Sequence, residues 1–147
     1  MIYSIGYQGF RSAEDFVEVL KAHKVDLLVD VRSRPVARFN PTFSQGPLSS
    51  RLPLAGIAYQ WAGEHLGGFG KIEDRALREL ADMSAGRVVC TMCMEADPDR
   101  CHRKTAIAAR LVALGVEVRH LNKPGEPIAE QTRIDKIHAN TIRHAAC

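Results

Sequence analysis

No apolar run in these 147 residues approaches the roughly 20 needed to cross a bilayer, which argues against a helical membrane span. The start, Met1-Ile2-Tyr3-Ser4, is without the basic and long apolar segments of a secretory leader, so a cytoplasmic protein with no membrane partner is expected. Cysteine is scarce: four residues, at 90, 93, 101 and 147, three of them crowded into one strand-to-helix junction. A disulfide scaffold distributes its cysteines differently, so reduced thiols, ligands or core residues are expected. Acidic residues are missing altogether from Val31 to Gly63, although Arg32, Arg34, Arg38 and Arg51 fall inside that stretch. A segment of one charge sign presents positive potential toward an anion. The chain as a whole carries a net charge of +3, too mild to announce a nucleic-acid binder. Internal repeats and low-complexity tracts are missing too, and the length fits one domain around one core.

What is present is an alternation of short apolar runs with amphipathic stretches. Ile2 to Ile5 reads as a strand ended by Gly6. Ser12-Ala13-Glu14-Asp15 resembles a capping box, opening a helix with Ala13, Phe16, Val17 and Leu20 on one face. Asp26 to Val31 is the near-continuous apolar run of a parallel strand covered on both sides. Residues 32–46, with Pro35 and Pro41, read as a long loop. A helical turn at 47–54, a strand at 57–61, a glycine loop at 63–71 and a helix at 73–83 follow. Residues 87–93 are the best candidate for a central strand. Asp97-Pro98-Asp99 supplies a cap, a proline and an acidic first turn for a helix running to Leu114, and 116–121 read as a fifth strand. The expected fold is a three-layer α/β domain over residues 1–123, a mainly parallel five-stranded sheet with helices on both faces. Residues 124–147 are expected to form a C-terminal helical tail, packed on the core or on a second copy of the chain in a homo-oligomer.

In an open parallel sheet, ligands bind outside the carboxyl ends of the strands. Gly6-Tyr7-Gln8-Gly9 follows the first strand, Arg32-Ser33-Arg34 the second, His65 with Gly67-Gly68 the third, and residues 93–103 the fourth. Four segments should therefore gather on one rim. Arg32 and Arg34 alternate beyond a buried strand; in extended chain both would point to one side and clamp a phosphate or carboxylate. Arg38 is a weaker addition, and pairing of Arg32 with Asp30 or Glu95 is the plain structural alternative. Tyr7, Gly67 and Gly68 complete the expected anion-binding set. The glycines carry no nucleotide fingerprint, since a Walker pattern needs glycine where His65 stands and Ser or Thr where Ile72 stands. They are expected to allow tight turns or close backbone approach. Tyr7, Tyr59 and Trp61 suit stacking on a ring or packing in the core.

These segments also carry a family resemblance. Ile5-Gly6-Tyr7, Leu28-Val29-Asp30-Val31-Arg32-Ser33-Arg34-Pro35, Leu66-Gly67-Gly68, and Cys93-Met94-Glu95-Ala96-Asp97-Pro98 with Cys101-His102-Arg103 resemble the domain-of-unknown-function 488 family of small bacterial and archaeal proteins. The resemblance spans residues 1–121 or so. It implies an α/β fold and brings no activity, substrate or catalytic residue with it.

Chemistry must then come from the residues. Cys90 and Cys93 have dithiol spacing, but an odd separation on a strand sends them to opposite faces. A cysteine-phosphatase loop is rejected as well: Cys93 and Arg100 stand one residue too far apart, and Glu95, Asp97 and Asp99 would repel a phosphate. Cys93, Cys101, His102 and Glu95 could supply a mixed zinc set. On a helix, however, the adjacent residues 101 and 102 would diverge by about a hundred degrees. No metal or other cofactor is assigned on this reading, and the thiols are taken as buried or reactive. Glu95, Cys93 and His102 are the candidate catalytic residues, with Glu95 suited to a transfer or hydrolysis and Cys93 to a covalent step. Asp30, Cys101 and Arg103 are candidate structural supports. The leading expectation is an enzyme, hydrolase or transferase, acting on a small anionic, nucleotide-like ligand. A non-catalytic nucleic-acid-binding or regulatory module and a Cys/His metal-binding protein stand beside it.

Overall fold

The computed structural model describes residues 1–121. Its five strands, β1 (Ile2–Gly6), β2 (Leu27–Asp30), β3 (Ala58–Trp61), β4 (Val89–Cys93) and β5 (Val118–His120), run parallel in the order β3-β2-β4-β1-β5. β2 and β4 are buried at every position. Continuous apolar runs behave so when both faces of a parallel sheet are covered. β3, at an edge, alternates exposed and half-buried residues.

The helices are α1 (Ala13–Ala22), α2 (Gln45–Leu54), α3 (Gly63–Leu66), α4 (Asp74–Gly86) and α5 (Ala109–Ala113), the last entered through a π-helical turn, Arg103–Ala108. Ser12 caps α1, its Oγ accepting the Asp15 N–H at 3.2 Å. Phe16 and Leu20 of α1 and Leu48 and Leu52 of α2 pack with Ile5, Leu28, Cys90 and Met92 on one face. Leu77 and Leu80 of α4 and Leu111 of α5 pack with Ile2, Val29, Val89 and Cys93 on the other. The three-layer α/β arrangement expected from the sequence is thus the fold, and Cys90 and Cys93 lie in different cores.

Several elements differ in detail. The stretch read as loop over 32–46 contains a 3-10 turn at Pro41–Phe43 and the beginning of α2. Pro41 fixes the turn and Phe43 buries its ring against Tyr7 and Phe16. The glycine loop opens with the one-turn helix α3. The helix expected to run from Asp97 to Leu114 is interrupted: Asp97 caps only a 3-10 turn, Pro98–Arg100, and Cys101 is extended, at φ −133° and ψ 142°, before a helical path resumes at His102. The tail, 124–147, lies outside the described residues. No helix among the described residues is long and apolar enough to cross a membrane.

The connections decide where a ligand could enter. The chain leaves β1 through α1 and β2 through α2, both on one face, whereas it leaves β4 toward α5 on the other. Adjacent strands whose chains depart to opposite faces leave a crevice at their carboxyl ends. Because β4 lies between β2 and β1, it is bordered by such a crevice on both sides. Cys93, the last residue of β4, stands between them.

Candidate functional site

The end of β2 makes the deepest polar cluster. Asp30 is fully buried in an apolar strand, and a buried carboxylate needs partners. Arg32 supplies them: Nε donates to Oδ1 at 2.9 Å, Nη2 to Oδ2 at 2.7 Å, and the backbone N–H to Oδ1 at 3.2 Å. Tyr59, reaching across from β3, donates its hydroxyl to Oδ2 at 2.5 Å. Burial works to lower the Arg32 pKa, but the bonds and charge of Asp30 outweigh it and hold the guanidinium above its ordinary value. Burial, followed by the Asp30 charge, pushes the Tyr59 phenol up, so it stays a donor.

Arg32 itself is only 3% exposed, and its third nitrogen, Nη1, has no hydrogen-bond partner among the described residues. The Tyr7 ring lies beside the guanidinium, 5.3 Å from Cζ to the ring centroid, and is itself stacked on Phe43. Arg34 and Arg38 are exposed, Arg38 lying over the exposed ring of Phe39 at 5.9 Å. Pairing with Asp30 thus engages two of the Arg32 nitrogens and leaves one.

Close backbone contacts lock the rim segments together. A Cβ on Gly6 would sit 1.8 Å from the Glu95 carbonyl oxygen, and one on Gly63 would sit 1.7 Å from that of Arg32. One on Gly67 would meet Ser33 Oγ at 2.2 Å. The Trp61 indole N–H donates to the Arg32 carbonyl at 2.8 Å, Phe69 N–H to Ser33 Oγ at 3.0 Å, and Gln8 N–H to the Met94 carbonyl at 3.0 Å. The close approach made by Gly6 and Gly67 is therefore to neighbouring chain. Gly68 is half-buried beside them.

Glu95 is half-buried on the rim; its carboxylate accepts the Asp97 N–H at 3.4 Å and enters no ion pair among the described residues. Arg103 binds the loop by its backbone instead, donating Nη1 to the Glu95 carbonyl at 2.5 Å and Nη2 to that of Ala96 at 3.2 Å. Its Nε donates to Ser4 Oγ at 3.3 Å. Arg103 is completely buried, and burial lowers its pKa. Ser4 Oγ also bonds His120 Nδ1, and burial, aided by the charges of Arg103 and Lys104, pushes His120 down to about 3.

Below the rim, His102 is buried with Cys93 and Cys101. Its Nε2 lies 2.9 Å from the Leu66 carbonyl and 3.2 Å from that of Val31, so this nitrogen carries the proton. Nδ1 lies 3.9 Å from each of Cys93 Sγ and Cys101 Sγ. The divergence expected of helical neighbours does not arise, because Cys101 sits in extended backbone ahead of the helix. Burial pushes the Cys93 thiol up to about 12 against the opposing pull of the Met94 N–H and Arg103.

Sequence reasoning missed Tyr59 as the second partner of Asp30, and Gly63 and Trp61 as the seat of the Arg32 backbone. One signal was there: an acid inside an apolar strand demands donors from somewhere. A hollow between α1 and α2, bordered by Glu14, Lys21, Arg51 and Leu54, includes none of these rim residues. The family model described as domain of unknown function DUF488 matches residues 12–75 and 68–110. No curated protein and no solved structure matches the chain.

Proposed function

Starting from the fact that the chain belongs to the DUF488 family, we propose that it is an enzyme that holds a small oxyanion-bearing substrate, phosphate-like in size and charge, at the carboxyl end of β4. The observation that carries this reading is Arg32 Nη1, a buried cationic donor with no partner among the described residues. Leaving a buried donor unsatisfied costs about 1–3 kcal/mol, and more for a charged group, and an oxyanion would supply the missing acceptor. Asp30 and Tyr59 hold the guanidinium in one orientation, so little freedom is lost on binding. Glu95 is the carboxylate best placed to take a proton from an attacking water or hydroxyl, since no ion pair among the described residues ties it down; hydrolysis or group transfer is the reaction class that follows.

Calorimetric titration with inorganic phosphate tests the reading. Arg32→Lys keeps a cation beside Asp30 but removes Nη1, and it should abolish phosphate binding while Arg34→Ala leaves most of it. Equal phosphate affinity in the wild type and Arg32→Lys, or no binding by either, would sink the proposal.

A second reading, a non-catalytic nucleic-acid-binding module, draws on Phe39, whose ring is 97% exposed with Arg38 over it. Exposed aromatics flanked by arginine stack on unpaired bases. It predicts binding of single-stranded oligonucleotide that falls steeply with salt and is lost in Arg38→Ala/Phe39→Ala; salt-independent or absent binding removes it.

A further inference from the structure

Resting on the anion reading and deepening it, we infer that the site takes singly charged oxyanions only, which makes its substrate a phosphodiester rather than a phosphate monoester.

Arg32 brings a positive charge to the end of β2, but that charge is already matched. Its Nε and Nη2 bind both carboxylate oxygens of Asp30 at 2.9 and 2.7 Å, and both side chains are buried. Nη1 is thus a directed donor whose charge is shared with a carboxylate held beside it. The other groups that face this spot add no charge. Tyr7, Tyr59 and Cys93 reach it from the ends of β1, β3 and β4, and burial pushes all three upward, Cys93 to about 12, so each keeps its proton at neutral pH. His102 stands behind Cys93, with Nδ1 3.9 Å from Sγ.

The second buried cation is matched as well. Arg103 gives its hydrogen bonds to neutral acceptors, two carbonyls and a hydroxyl. The carboxylates acting on its guanidinium are those of Glu95, half-buried, and Asp97, exposed. Two buried arginines therefore stand against Asp30 and Glu95, and the crevice is neutral before a ligand arrives. Arg34 and Arg38 are exposed, where water and salt screen them.

A neutral crevice with one directed donor accepts one negative charge far better than two, because the second is desolvated with nothing to pair it. A phosphate monoester loses its second proton at about pH 6 and is mostly a dianion at neutral pH. A diester has no such proton and keeps a single charge throughout. It also bears organic groups on two oxygens, and the rim has surface for them. Phe69 and Met94 expose apolar side chains from pinned backbone: Phe69 N–H donates to Ser33 Oγ, and the Met94 carbonyl accepts from Gln8 N–H.

Nuclear magnetic resonance titrations of the full chain with methyl phosphate and dimethyl phosphate, between pH 6.5 and 8.5, test the inference. The readout is the ratio of the two affinities, since titration of a protein group such as His102 or Glu95 moves both. That ratio should shift toward the diester by on the order of fiftyfold across the range, following the second proton of the monoester. Glu95→Gln removes a rim charge and leaves the buried pair at Asp30 intact. It should raise methyl phosphate affinity at pH 8.5 about threefold more than dimethyl phosphate affinity. A dinucleoside monophosphate and glycerophosphocholine carry the same linkage from nucleic acid and from lipid; both should bind, and the tighter one names the source. A ratio that stays constant or moves toward methyl phosphate as pH rises would overturn the inference and leave the anion reading standing. Binding of methyl phosphate at pH 6.5 with none of dimethyl phosphate would do the same. Binding of neither ester at any pH, or equal binding by Arg32→Lys, would instead remove the anion reading itself.

Discussion

Arg32 folds back onto Asp30, two residues before it, and binds both of its carboxylate oxygens through Nε and Nη2 at 2.9 and 2.7 Å. The pair is shut away from water, with Asp30 fully buried and Arg32 nearly so. Breaking it from one side leaves the other charge stranded. Asp30→Asn should therefore destabilise the fold by about 3–5 kcal/mol. Replacing both, as Asp30→Leu/Arg32→Met, should be milder than the single change, because no uncompensated charge remains. Urea unfolding midpoints of the wild type and the two variants check this ordering, and a double variant worse than Asp30→Asn would contradict it.

Rim glycines offer a steric prediction. Gly6→Ala and Gly63→Ala push a methyl group into backbone carbonyls less than 2 Å away, which cannot swing aside as a side chain would. Each should lower stability by about 1–3 kcal/mol or more. Gly46→Ala, in α2 with nothing within 4 Å, should be neutral or stabilising by up to about 1 kcal/mol. Thermal denaturation of the three side by side separates crowding from backbone entropy.

Arg103 makes three hydrogen bonds from a fully buried position, two of them to the backbone of residues 95 and 96. Arg103→Met fills similar volume without the donors. Hydrogen bonds from charged groups contribute about 1.5–3 kcal/mol each, so the loss should exceed that of one bond. Amide exchange should accelerate at Gln8, which donates to the Met94 carbonyl in the same loop, more than in α1. Uniform acceleration across both would mean global loosening and would count against a local clamp.

His120 gives a dependence on pH. It is buried and neutral, faces Ser4 Oγ and the charges of Arg103, Lys104 and Asp99, and is held down to about 3 from an ordinary value of 6.5. The unfolded chain takes up a proton below pH 6.5 that the folded chain refuses until near pH 3. Stability from this group is thus complete above pH 6.5 and declines as pH falls toward 3, with a slope of at most about 1.4 kcal/mol per pH unit. His120→Asn should flatten the decline between pH 6.5 and 5. Parallel stability curves for variant and wild type over that interval would show that His120 does not titrate as stated.

Much of this was legible in the sequence because the physics involved is local. The apolar run ending at Val31, the cap at Ser12 and the alternation of strands and helices are enough to bring residues 7, 32, 67 and 93 to one edge. Asp30 and Arg32 stand two apart, so their pairing could be foreseen as an alternative. Tyr59 could not, since its reach to Asp30 depends on the β2–β3 register that sets Leu28 opposite Tyr59. The break at Cys101 was hidden for a different reason. Asp97, Pro98 and Asp99 start a 3-10 turn with the same residues that start an α-helix, and only the chain beyond reveals which one forms. Nor can a sequence show that the imidazole of residue 102 has its proton on the far nitrogen, because two distant carbonyls decide it.

Three glycines with no room for a methyl group leave this edge of the sheet little freedom to be re-cut. Because positions 6, 63 and 67 interlock main chain with main chain, lengthening or swapping any one loop would unseat its neighbours. Diversification for a new ligand must come through side chains that project outward from that frame, at Gln8, Arg34, Arg38, Phe69 and Met94, and a mutational library confined to those five positions should keep nearly all its members folded.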